Sequence, residues 1–453
     1  MSWVGALREK LGGADAPLST DADVLSSFAR DQAPLAPAGE PVALVRARSI
    51  ADVTATLAFA NLRCIPVVTR GAGTGLAGGA NAVDGCILLS VAGMNRILAI
   101  DETMRTATVE PGVLNGDLAR EAAARGLYYA PDPASRDIST IGGNIATNAG
   151  GSCCLKYGVT GDHVAALTVV LADGTLLHTG GRTKKNVAGL DLTRLIVGSE
   201  GTLGVVVEAT VRLLRAPRRA ATTVAFFDSL DDASAAIVAM DSLDLSLLEV
   251  MDQTTLRAVE ELTQMQLDTD AAAFVLAQSD ASDAAAVATA CEATCAEHRA
   301  RSVLSTEDAE EGRLLLSARR MALPALEKKG TTLLDDIAVP KPQLTAMIAR
   351  IVAIGREHGV VIGTFGHAGD GNLHPTIVFE PRDPQSTNAA QAAFDAIVRA
   401  AVELGGTITG EHGVGSLKRD LLGTMLGVTE RAVMQRVKAA FDPRGILNPG
   451  KAI

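Results

Sequence analysis

The chain has 453 residues, 47% hydrophobic and 21% charged, a composition typical of a soluble globular enzyme with two or three domains. Its net charge of −11 argues against a nucleic-acid partner and an anionic membrane surface, because both favour basic proteins. No apolar run reaches the roughly 18 residues of a transmembrane segment, no signal peptide is evident, and six cysteines without a CxxC pair predict a reduced, cytoplasmic protein.

The first half of the chain alternates short strands with helices. Residues 42–69 predict strand, helix and strand, and the runs "CILLS" and "TATVE" predict two further strands. A helix is expected over residues 114–125, ending at Gly126. The long irregular stretch 130–163 is expected to be functional. "HVAALTVVLADGTLL" then predicts a hairpin turning at Asp173-Gly174, and "LGVVVEATVRLL" predicts a strand.

The segment "RAPRRA", residues 215–220, is a plausible domain boundary because it is basic and contains proline between two periodic segments. Beyond it, strand-like runs alternate with helical runs such as "AAAVATACEATCAEH", "PQLTAMIARIVAIGREHG" and residues 387–404. An α+β second domain is therefore expected.

The glycine loop "RGAGTGLAGG" contains a formal GxGxxG at Gly73, Gly75 and Gly78. A Rossmann loop must open a crossover helix of about 10–12 residues. Here the next strand begins near Cys86, which leaves no room for that helix. The loop is better interpreted as a nest of backbone N–H groups around a phosphate, with a plain glycine turn as the alternative.

Two further loops favour a large, flat and phosphorylated cofactor. "PDPASRDISTIGGNIATNAGG", residues 131–151, and "GSEGTLGVV", residues 198–206, combine glycine with Ser, Thr and Asn. Small residues let the backbone approach a planar ring, and hydroxyl and amide groups can bind its edges.

The stretch "HAGDGNLH" predicts a hairpin that turns at Asp370-Gly371 and brings His367 and His374 together. Two ordinary sheet histidines are the alternative for this stretch alone. A second stretch, "TGEHGVG", follows the strand-like "TIT" and adds the carboxylate of Glu411. Two histidines, one carboxylate and an open position form a catalytic zinc pattern.

Six motifs in order resemble the vanillyl-alcohol-oxidase/p-cresol-methylhydroxylase (PCMH) superfamily of FAD-linked oxidases. The three loops above resemble its FAD-binding domain. "GHAGDGNLH", "TGEHGVG" and "FDPRGILNPGK" resemble the branch with D-lactate dehydrogenase, the glycolate oxidase FAD subunit and D-2-hydroxyglutarate dehydrogenase. The resemblance covers about residues 35–453.

The resemblance implies an α+β fold, in which a two-subdomain PCMH-type FAD-binding domain precedes an α+β substrate and cap domain with an antiparallel sheet. The implied divisions are an N-terminal segment 1–34, the FAD domain 35–216, the cap 217–439 and a returning segment 440–453. FAD is expected to be noncovalent, because Thr74 stands where covalent members carry histidine. The implied FAD-binding residues are Arg70, Gly71, Ala72, Gly73, Thr74, Gly75, Pro131, Asp132, Ser135, Thr140, Gly142, Gly143, Asn144, Thr147, Asn148, Gly150, Gly151, Glu200, Gly201, Gly204, Val205 and Asn448.

The resemblance also implies the chemistry, which is oxidation of a D-2-hydroxy acid to the 2-oxo acid. His367, His374 and Glu411 match metal ligands, with zinc expected first and manganese second. His412 matches the base for the substrate hydroxyl, whose pKa the metal lowers, and the α-hydrogen passes as hydride to flavin. Arg319 matches a carboxylate-binding arginine and Asn372 a substrate-contacting asparagine.

The chain departs from the 2-hydroxyglutarate branch at two carboxylate-binding positions, where Leu323 and Leu334 stand, and it has Leu316 in place of a common tryptophan. Apolar residues there favour D-lactate or glycolate. The alternatives are a D-2-hydroxyglutarate dehydrogenase, a noncatalytic FAD-binding subunit, and a zinc hydrolase. An external electron acceptor is expected, a quinone, cytochrome or partner subunit. A homodimer and peripheral attachment at a membrane stay open.

Overall fold

The structure is a computed structural model that describes residues 3–453. The chain forms two compact units. The first contains the described residues up to Gly150, then Val159–Ala216 and Glu411–Ile453, and the second contains Gly151–Gly158 and Pro217–Gly410. The first unit is therefore assembled from three separate stretches of the sequence.

Helices occur in both units and are mostly short. In chain order they are α1 (Trp3–Lys10), α2 (Ala22–Phe28), α3 (Ile50–Arg63), α4 (Asn115–Ala123), α5 (Ile141–Thr147), α6 (Cys154–Tyr157), α7 (Thr160–His163), α8 (Leu192–Ile196), α9 (Leu230–Ala239), α10 (Gln253–Thr263), α11 (Ala284–Glu297), α12 (Ala309–Arg320), α13 (Ala322–Glu327), α14 (Leu344–His358), α15 (Pro384–Glu403), α16 (Leu422–Met425) and α17 (Val428–Phe441). Short 3₁₀ turns are Gly13–Asp15, Met240–Ser242, Lys341–Gln343 and Arg419–Leu421.

The strands form two main sheets in the first unit and one large sheet in the second. In chain order they are β1 (Leu18–Ser19), β2 (Ala43–Arg46), β3 (Val67–Arg70), β4 (Ile87–Ser90), β5 (Ile97–Asp101), β6 (Thr106–Val109), β7 (Leu127–Tyr128), β8 (Val164–Val170), β9 (Leu176–Gly180), β10 (Val205–Arg212), β11 (Leu214–Arg215), β12 (Ala221–Phe227), β13 (Leu247–Asp252), β14 (Ala273–Ser279), β15 (Ala300–Thr306), β16 (Thr331–Leu334), β17 (Ile337–Ala338), β18 (Val361–His367) and β19 (Asn372–Phe379).

The predicted strand–helix–strand over residues 42–69 is present as β2, α3 and β3. These strands belong to a four-stranded sheet of order β1-β2-β4-β3, in which β2 and β3 both run parallel to β4. Helix α3 buries Val53, Leu57 and Ala60 completely, because their spacing of four and three residues puts them on one helical face. Its first turn is capped by the Ser49 hydroxyl, which accepts from the Asp52 N–H.

The second sheet of the first unit is antiparallel, with order β5-β6-β10-β8-β9. The hairpin predicted at Asp173-Gly174 joins β8 to β9, and Gly174 adopts φ +89° there. Asp173 supports this turn by accepting a 2.8 Å hydrogen bond from the Thr175 N–H. Strand β5 was not among the predicted elements. Its sequence, "ILAID", shows no clear alternation of apolar and polar residues, and its side chains are partly exposed.

The second unit is built on an antiparallel sheet of order β15-β12-β14-β13-β18-β19-β16, with β17 beside β19. The predicted helical runs after residue 284 are present as α11, α14 and α15. The predicted hairpin is also present, because β18 and β19 pair antiparallel with His367 opposite Asn372 and Phe365 opposite His374. Gly371, in the turn, has φ +79°, which explains why glycine is needed there.

Two local predictions are wrong. The run "TIT" does not form a strand, since only Thr407 makes an isolated bridge, to Ala338. The stretch 130–163 is less irregular than expected, because α5, α6 and α7 lie within it. Each of these helices has seven residues or fewer, too short to show helical periodicity in the sequence. Between Trp3 and Ile453, the structure contains no helix with the length and apolar character needed to cross a membrane.

Candidate functional site

The hairpin β18–β19 holds His367 and His374 side by side in the second unit. Their ring centroids lie 5.1 Å apart, and the two ring planes are nearly perpendicular. A ring nitrogen of one lies within 4.8 Å of a ring nitrogen of the other, and both side chains are buried. Two imidazoles in this arrangement can share one metal ion, because both point into the same small space.

Glu249 orients the first of these histidines. It lies on β13, directly opposite His367 on β18, and its Oε1 is 2.6 Å from the His367 Nδ1. Glu249 is fully buried, which raises its pKa, but the charges of Arg319 and His367 outweigh burial and lower the pKa overall. The carboxylate therefore accepts from Nδ1–H, and this tautomer leaves Nε2 with the lone pair that a metal requires.

Arg319 approaches the same carboxylate from the other side. It is buried near the end of α12, and its Nε lies 2.6 Å from the Glu249 Oε2. Its guanidinium carbon stands 4.7 Å from the ring centroid of Phe365, a cation–π contact. The Phe365 ring also packs against the His374 ring, with centroids 5.6 Å apart. A buried cation is thus fixed beside the histidine pair.

Asp336 supports the opposite side of the hairpin. Its buried carboxylate accepts from Asn372 Nδ2 at 2.8 Å, from Thr409 Oγ1 at 2.7 Å and from the Gly410 N–H at 2.8 Å. Its Oδ1 also lies 3.8 Å from the His374 Nδ1. Asn372 donates a second hydrogen bond to the carbonyl of Ile337. Because both amide hydrogens of Asn372 are used, its Oδ1 is the atom that it offers to a ligand.

Glu411 and His412 follow directly on Gly410, the last residue of the second unit. The Gly410 amide is bound to Asp336. Consecutive Cα atoms are about 3.8 Å apart, so the chain itself keeps Glu411 near this anchored residue. Both residues belong to the first unit. The Glu411 carboxylate lies 3.6 Å from the His412 Nε2.

The first unit contains the predicted glycine loop, where several glycines are required for space. A Cβ on Gly71 would collide with the Thr140 Oγ1, so the first and second loops touch at this point. Gly73 has φ +75°, and a Cβ there would collide with the Arg70 guanidinium. That guanidinium donates to the carbonyls of Phe28 and Arg30, so Arg70 offers backbone to a ligand and its side chain is used within the protein.

The third loop is joined to the second and to the chain after His412. The Glu200 N–H donates to the Ala146 carbonyl at 2.8 Å. The Glu200 carboxylate is buried and accepts from the N–H groups of Val414 and Gly415 at 2.7 and 2.8 Å. Burial raises the pKa of Glu200, and these two donors offset only part of that effect. Glu200 therefore holds the glycine-rich segment that follows His412.

The C-terminal segment completes this group of loops. Asn448 donates from Nδ2 to the carbonyls of Gly79 and Glu200 at 3.0 and 2.6 Å. Lys451 is buried and donates to the carbonyls of Gly79 and Asn81. Burial lowers the pKa of Lys451 to about 8, against the attraction of nearby acidic groups. Asn448 thus links the first loop to the third, and Lys451 binds the first loop and Asn448.

Several predicted cofactor residues have side chains that are occupied within the protein. Asn144 binds Asn115 and Ser139, Asn148 accepts from the Gly161 N–H, and the Val205 side chain lies in the core. These residues offer mainly backbone to a ligand. The other predicted positions lie on the same loops: Ala72, Thr74, Gly75, Pro131, Asp132, Ser135, Gly142, Gly143, Thr147, Gly150, Gly201 and Gly204 in the first unit, and Gly151 in the second.

The loops of the first unit fit a cofactor such as FAD. Their glycines form a cradle of bare backbone, and Cβ atoms at Gly71 or Gly73 would also displace the side chains that support it. Such a surface presents N–H groups to a pyrophosphate without steric obstruction.

Comparison with protein families agrees with this geometry. The profile described as "FAD linked oxidases, C-terminal domain" matches residues 216–452, and the profile described as "FAD binding domain" matches residues 41–180. The chain belongs to the FAD-linked oxidases. It is an oxidoreductase and a flavoprotein whose cofactor is FAD.

The chain is similar to curated relatives over most of its length. It is 44% identical to "Glycolate oxidase subunit GlcD" of Bacillus subtilis (strain 168), covering 91% of this chain and 88% of that protein. It is 36% identical to "D-2-hydroxyglutarate dehydrogenase" of Stutzerimonas stutzeri (strain A1501), covering 95% of each chain. It is 34% identical to "D-lactate dehydrogenase" of Anaerostipes hadrus, covering 95% and 93% respectively.

A solved structure of p-cresol methylhydroxylase with substrate bound shares the fold. The TM-score is 0.83 at 18% identity, and the match covers 99% of this chain and 96% of that one. The predicted α+β architecture with a PCMH-type FAD-binding domain and antiparallel sheets is therefore confirmed, as is the resemblance drawn from the six motifs.

Sequence reasoning missed three residues that the structure brings into these groups. Glu249 interrupts the apolar run "LLEVM", and an acid in a buried strand was the available signal. Asp336 follows another buried acid, Asp335, just before "IAVP". Lys451 ends "NPGK" and had no signal beyond that motif.

Proposed function

We propose that this protein oxidises a D-2-hydroxy acid to the corresponding 2-oxo acid, with D-lactate or glycolate as the favoured substrates. The observation that carries the proposal is the buried Arg319 guanidinium beside the imidazole pair His367 and His374. A carboxylate-binding cation next to a candidate metal pair matches the two polar groups of a 2-hydroxy acid, its carboxylate and its hydroxyl. The names of the relatives support the same substrate class.

The two units take different parts in the proposed reaction. We assign FAD binding to the predicted domain 35–216 with the returning segment 440–453, and substrate and metal binding to the predicted domain 217–439. The two compact units differ from these bounds, because residues 151–158 belong to the second unit and residues 411–439 to the first. FAD would be held noncovalently by the three loops and Asn448, and a divalent ion, zinc first and manganese second, by His367, His374 and Glu411. When bound, FAD supplies a two-electron acceptor and the ion a positive charge for the substrate hydroxyl.

The residues of this chain bind the acid and move its proton. Arg319 receives the carboxylate on its terminal nitrogens, because its Nε already faces Glu249. Asn372 contacts the bound substrate. His412 takes the hydroxyl proton on a ring nitrogen, and the α-hydrogen leaves carbon with its bonding electron pair as the C=O bond forms. Glu200 steadies this base by holding Val414 and Gly415.

The substrate side chain is expected to be small or apolar. Leu334 is buried on β16, and Leu323 lies on α13. Neither can bind a second carboxylate, which a 2-hydroxyglutarate enzyme must accommodate. D-2-hydroxyglutarate is therefore the second candidate substrate, favoured only by the relative that carries its name. The relative named as a glycolate oxidase subunit suggests that the electron acceptor is a partner subunit, with a quinone or cytochrome as alternatives.

The proposal is tested by measuring the loss of flavin absorbance at about 450 nm under anaerobic conditions. The purified protein is mixed with D-lactate, L-lactate, glycolate and D-2-hydroxyglutarate, each with and without prior EDTA treatment. Bleaching by D-lactate or glycolate, lost after EDTA and restored by Zn²⁺ or Mn²⁺, is the expected result.

Other outcomes lead to different conclusions. Bleaching that is indifferent to EDTA would contradict the metal site. Bleaching only by D-2-hydroxyglutarate would overturn the substrate preference. No bleaching by any acid would favour a noncatalytic FAD-binding subunit.

A further inference from the structure

One buried carboxylate in the second unit contacts both halves of the proposed substrate site. Glu249 has one oxygen on the His367 Nδ1 and the other on the Arg319 Nε, each at 2.6 Å. The exposed fraction of its side chain is zero, so the carboxylate is shielded from bulk solvent. The carboxylate is therefore shared between a candidate metal ligand and the candidate carboxylate-binding arginine.

This arrangement is poorly explained as a stabilising ion pair. Desolvating two charges in a sheet interior usually costs as much as their attraction returns, and an apolar pair of similar volume would serve the fold at least as well. The neighbouring residues Leu248 and Val250 are apolar and buried, as expected for this strand. A glutamate in this place instead suggests a role in the site.

The geometry fixes both partners in ways that chemistry at the site requires. Accepting from Nδ1–H selects the His367 tautomer that presents Nε2, and it fixes the ring plane. Binding the Arg319 Nε leaves the terminal nitrogens pointing elsewhere, while Phe365 supports the guanidinium face. Phe365 also contacts the His374 ring, so the rigid group contains both histidines and the arginine.

The charges lead to the same conclusion. Arg319 and a divalent ion are both positive, and they would lie close together in one buried site. Carboxylates must therefore supply the negative charge that offsets them. Glu249 offsets the arginine and, through the His367 ring, increases the electron density that the ligand nitrogen offers. Removing its charge should therefore weaken metal binding and substrate binding together.

We propose that Glu249 is a positioning residue that sets the distance and orientation between the metal and the substrate carboxylate, so that both affinities depend on one side chain. This inference rests on the proposed function. It predicts which substrates fit, because only acids with hydroxyl and carboxylate on adjacent carbons match one fixed spacing.

The test compares the FAD-loaded wild type with E249Q and with E260Q as a matched control. Glu260 lies in the same unit and accepts hydrogen bonds from the N–H groups of Gln266 and Leu267, away from the histidines. Zn²⁺ affinity is measured without substrate by competition with a chromophoric chelator, and the visible spectrum is recorded with Co²⁺ as the only metal. E249Q is expected to bind Zn²⁺ about 10–100-fold more weakly and to change the Co²⁺ spectrum. E260Q should do neither.

Kinetics supply the second readout. At saturating Zn²⁺, E249Q should raise the KM for D-lactate or glycolate at least about tenfold, because the guanidinium is no longer held, and E260Q should leave KM unchanged. If E249Q does not fold, the double variant E249Q/R319M removes both buried charges and still leaves His367 with a neutral amide in place of the carboxylate. Its Zn²⁺ affinity should fall by the same factor, whereas R319M alone should keep the wild-type Zn²⁺ affinity.

The outcomes separate this inference from the function on which it rests. If wild type binds Zn²⁺ and oxidises an acid, but E249Q matches it in Zn²⁺ affinity, Co²⁺ spectrum and KM, the positioning role is wrong and the function stands. If wild type binds neither Zn²⁺ nor Mn²⁺ and bleaches with no acid, the proposed function fails and the positioning role fails with it.

Discussion

Asn448 donates its side-chain amide to the carbonyl of Glu200 at 2.6 Å, although 248 residues separate them in the sequence. The same amide reaches the Gly79 carbonyl, so one side chain binds the first and third cofactor loops. Asn448 itself adopts φ +43°, a left-handed conformation that asparagine tolerates better than most residues. Asn448 thus joins two of the loops that we propose to hold FAD.

Replacing Asn448 should weaken FAD binding. N448A removes two buried hydrogen bonds worth about 1 kcal/mol each, so the Kd for FAD should rise roughly tenfold or more. The Kd is measured by titrating deflavinated protein with FAD and following flavin fluorescence. N388A, at an exposed position of α15, is the control and should bind FAD as the wild type does. Equal affinities for both variants would contradict this role of Asn448.

Gly71 offers a direct test of the cradle. A methyl group in G71A would meet the Thr140 Oγ1, which caps α5 by accepting from the Gly143 N–H. The overpacking should lower the free energy of unfolding by about 1–3 kcal/mol and weaken FAD binding. The matched change G181A adds the same methyl group where nothing lies within 4 Å. Chemical denaturation of both variants, with and without FAD, measures the free energy of unfolding. An equal loss in G71A and G181A would contradict the steric role of Gly71.

The arginine beside the histidines should control substrate affinity. R319M removes the cation and is expected to lower kcat/KM by roughly 100-fold or more. R319K keeps a charge but loses the planar fork, so a smaller loss, about tenfold, is expected mainly in KM. Steady-state assays with an artificial acceptor dye give both constants. The neighbouring exposed residue supplies the control R320K, and a loss as large in R320K would refute a site-specific role.

Replacing either histidine of the β18–β19 hairpin should reduce metal binding. H367N and H374N are each expected to lose tightly bound Zn²⁺ or Mn²⁺ and to lose activity, because each removes one of three proposed protein ligands and so lowers the affinity for the ion. Metal content is measured by elemental analysis after desalting, alongside flavin content. H358N, on α14, should keep both metal and activity. Retention of metal in H367N and H374N would show that these histidines are structural.

The second unit also contains a group that should make its stability depend on pH. Asp252 caps α10 by accepting from the Thr255 N–H and also accepts from the Thr364 N–H. Burial raises its pKa from 3.8 to about 6 against the effect of these donors. Because its pKa is higher in the folded state, Asp252 keeps its proton there at pH values at which the unfolded chain has already released it. The contribution of Asp252 to the free energy of unfolding is therefore complete below pH about 4 and is lost as pH rises through about 6.

The measurement is the free energy of unfolding of wild type and D252N between pH 4 and 7. A shift of about 2 pKa units corresponds to about 3 kcal/mol, so wild type should lose about that much relative to D252N across the window. Two parallel curves would show that the Asp252 pKa is not raised.

Local patterns were sufficient to predict much of the fold and part of the site. The β18–β19 hairpin followed from the turn signal Asp370-Gly371 between two strand-like runs, and α3 followed from the helical spacing within residues 51–61. Glu249 was out of reach, because its partners His367 and Arg319 are 118 and 70 residues away, and it meets them only through the pairing of β13 with β18 and the position of α12 in the folded chain. Sequence periodicity describes one element at a time and cannot reveal such pairing.

The three-segment construction of the first unit has a consequence for biosynthesis. Ile446 and Leu447 lie in the core of the four-stranded sheet, and Leu447 bridges to Val67 beside the first strands to be made. At about 5–20 residues per second, a ribosome needs roughly 10–50 s to travel from residue 216 to residue 447. During that interval the second unit is synthesised as far as Gly410, whereas the nascent FAD-binding unit waits for its last strand partner. Completion of this core therefore follows synthesis of the second unit as far as Gly410.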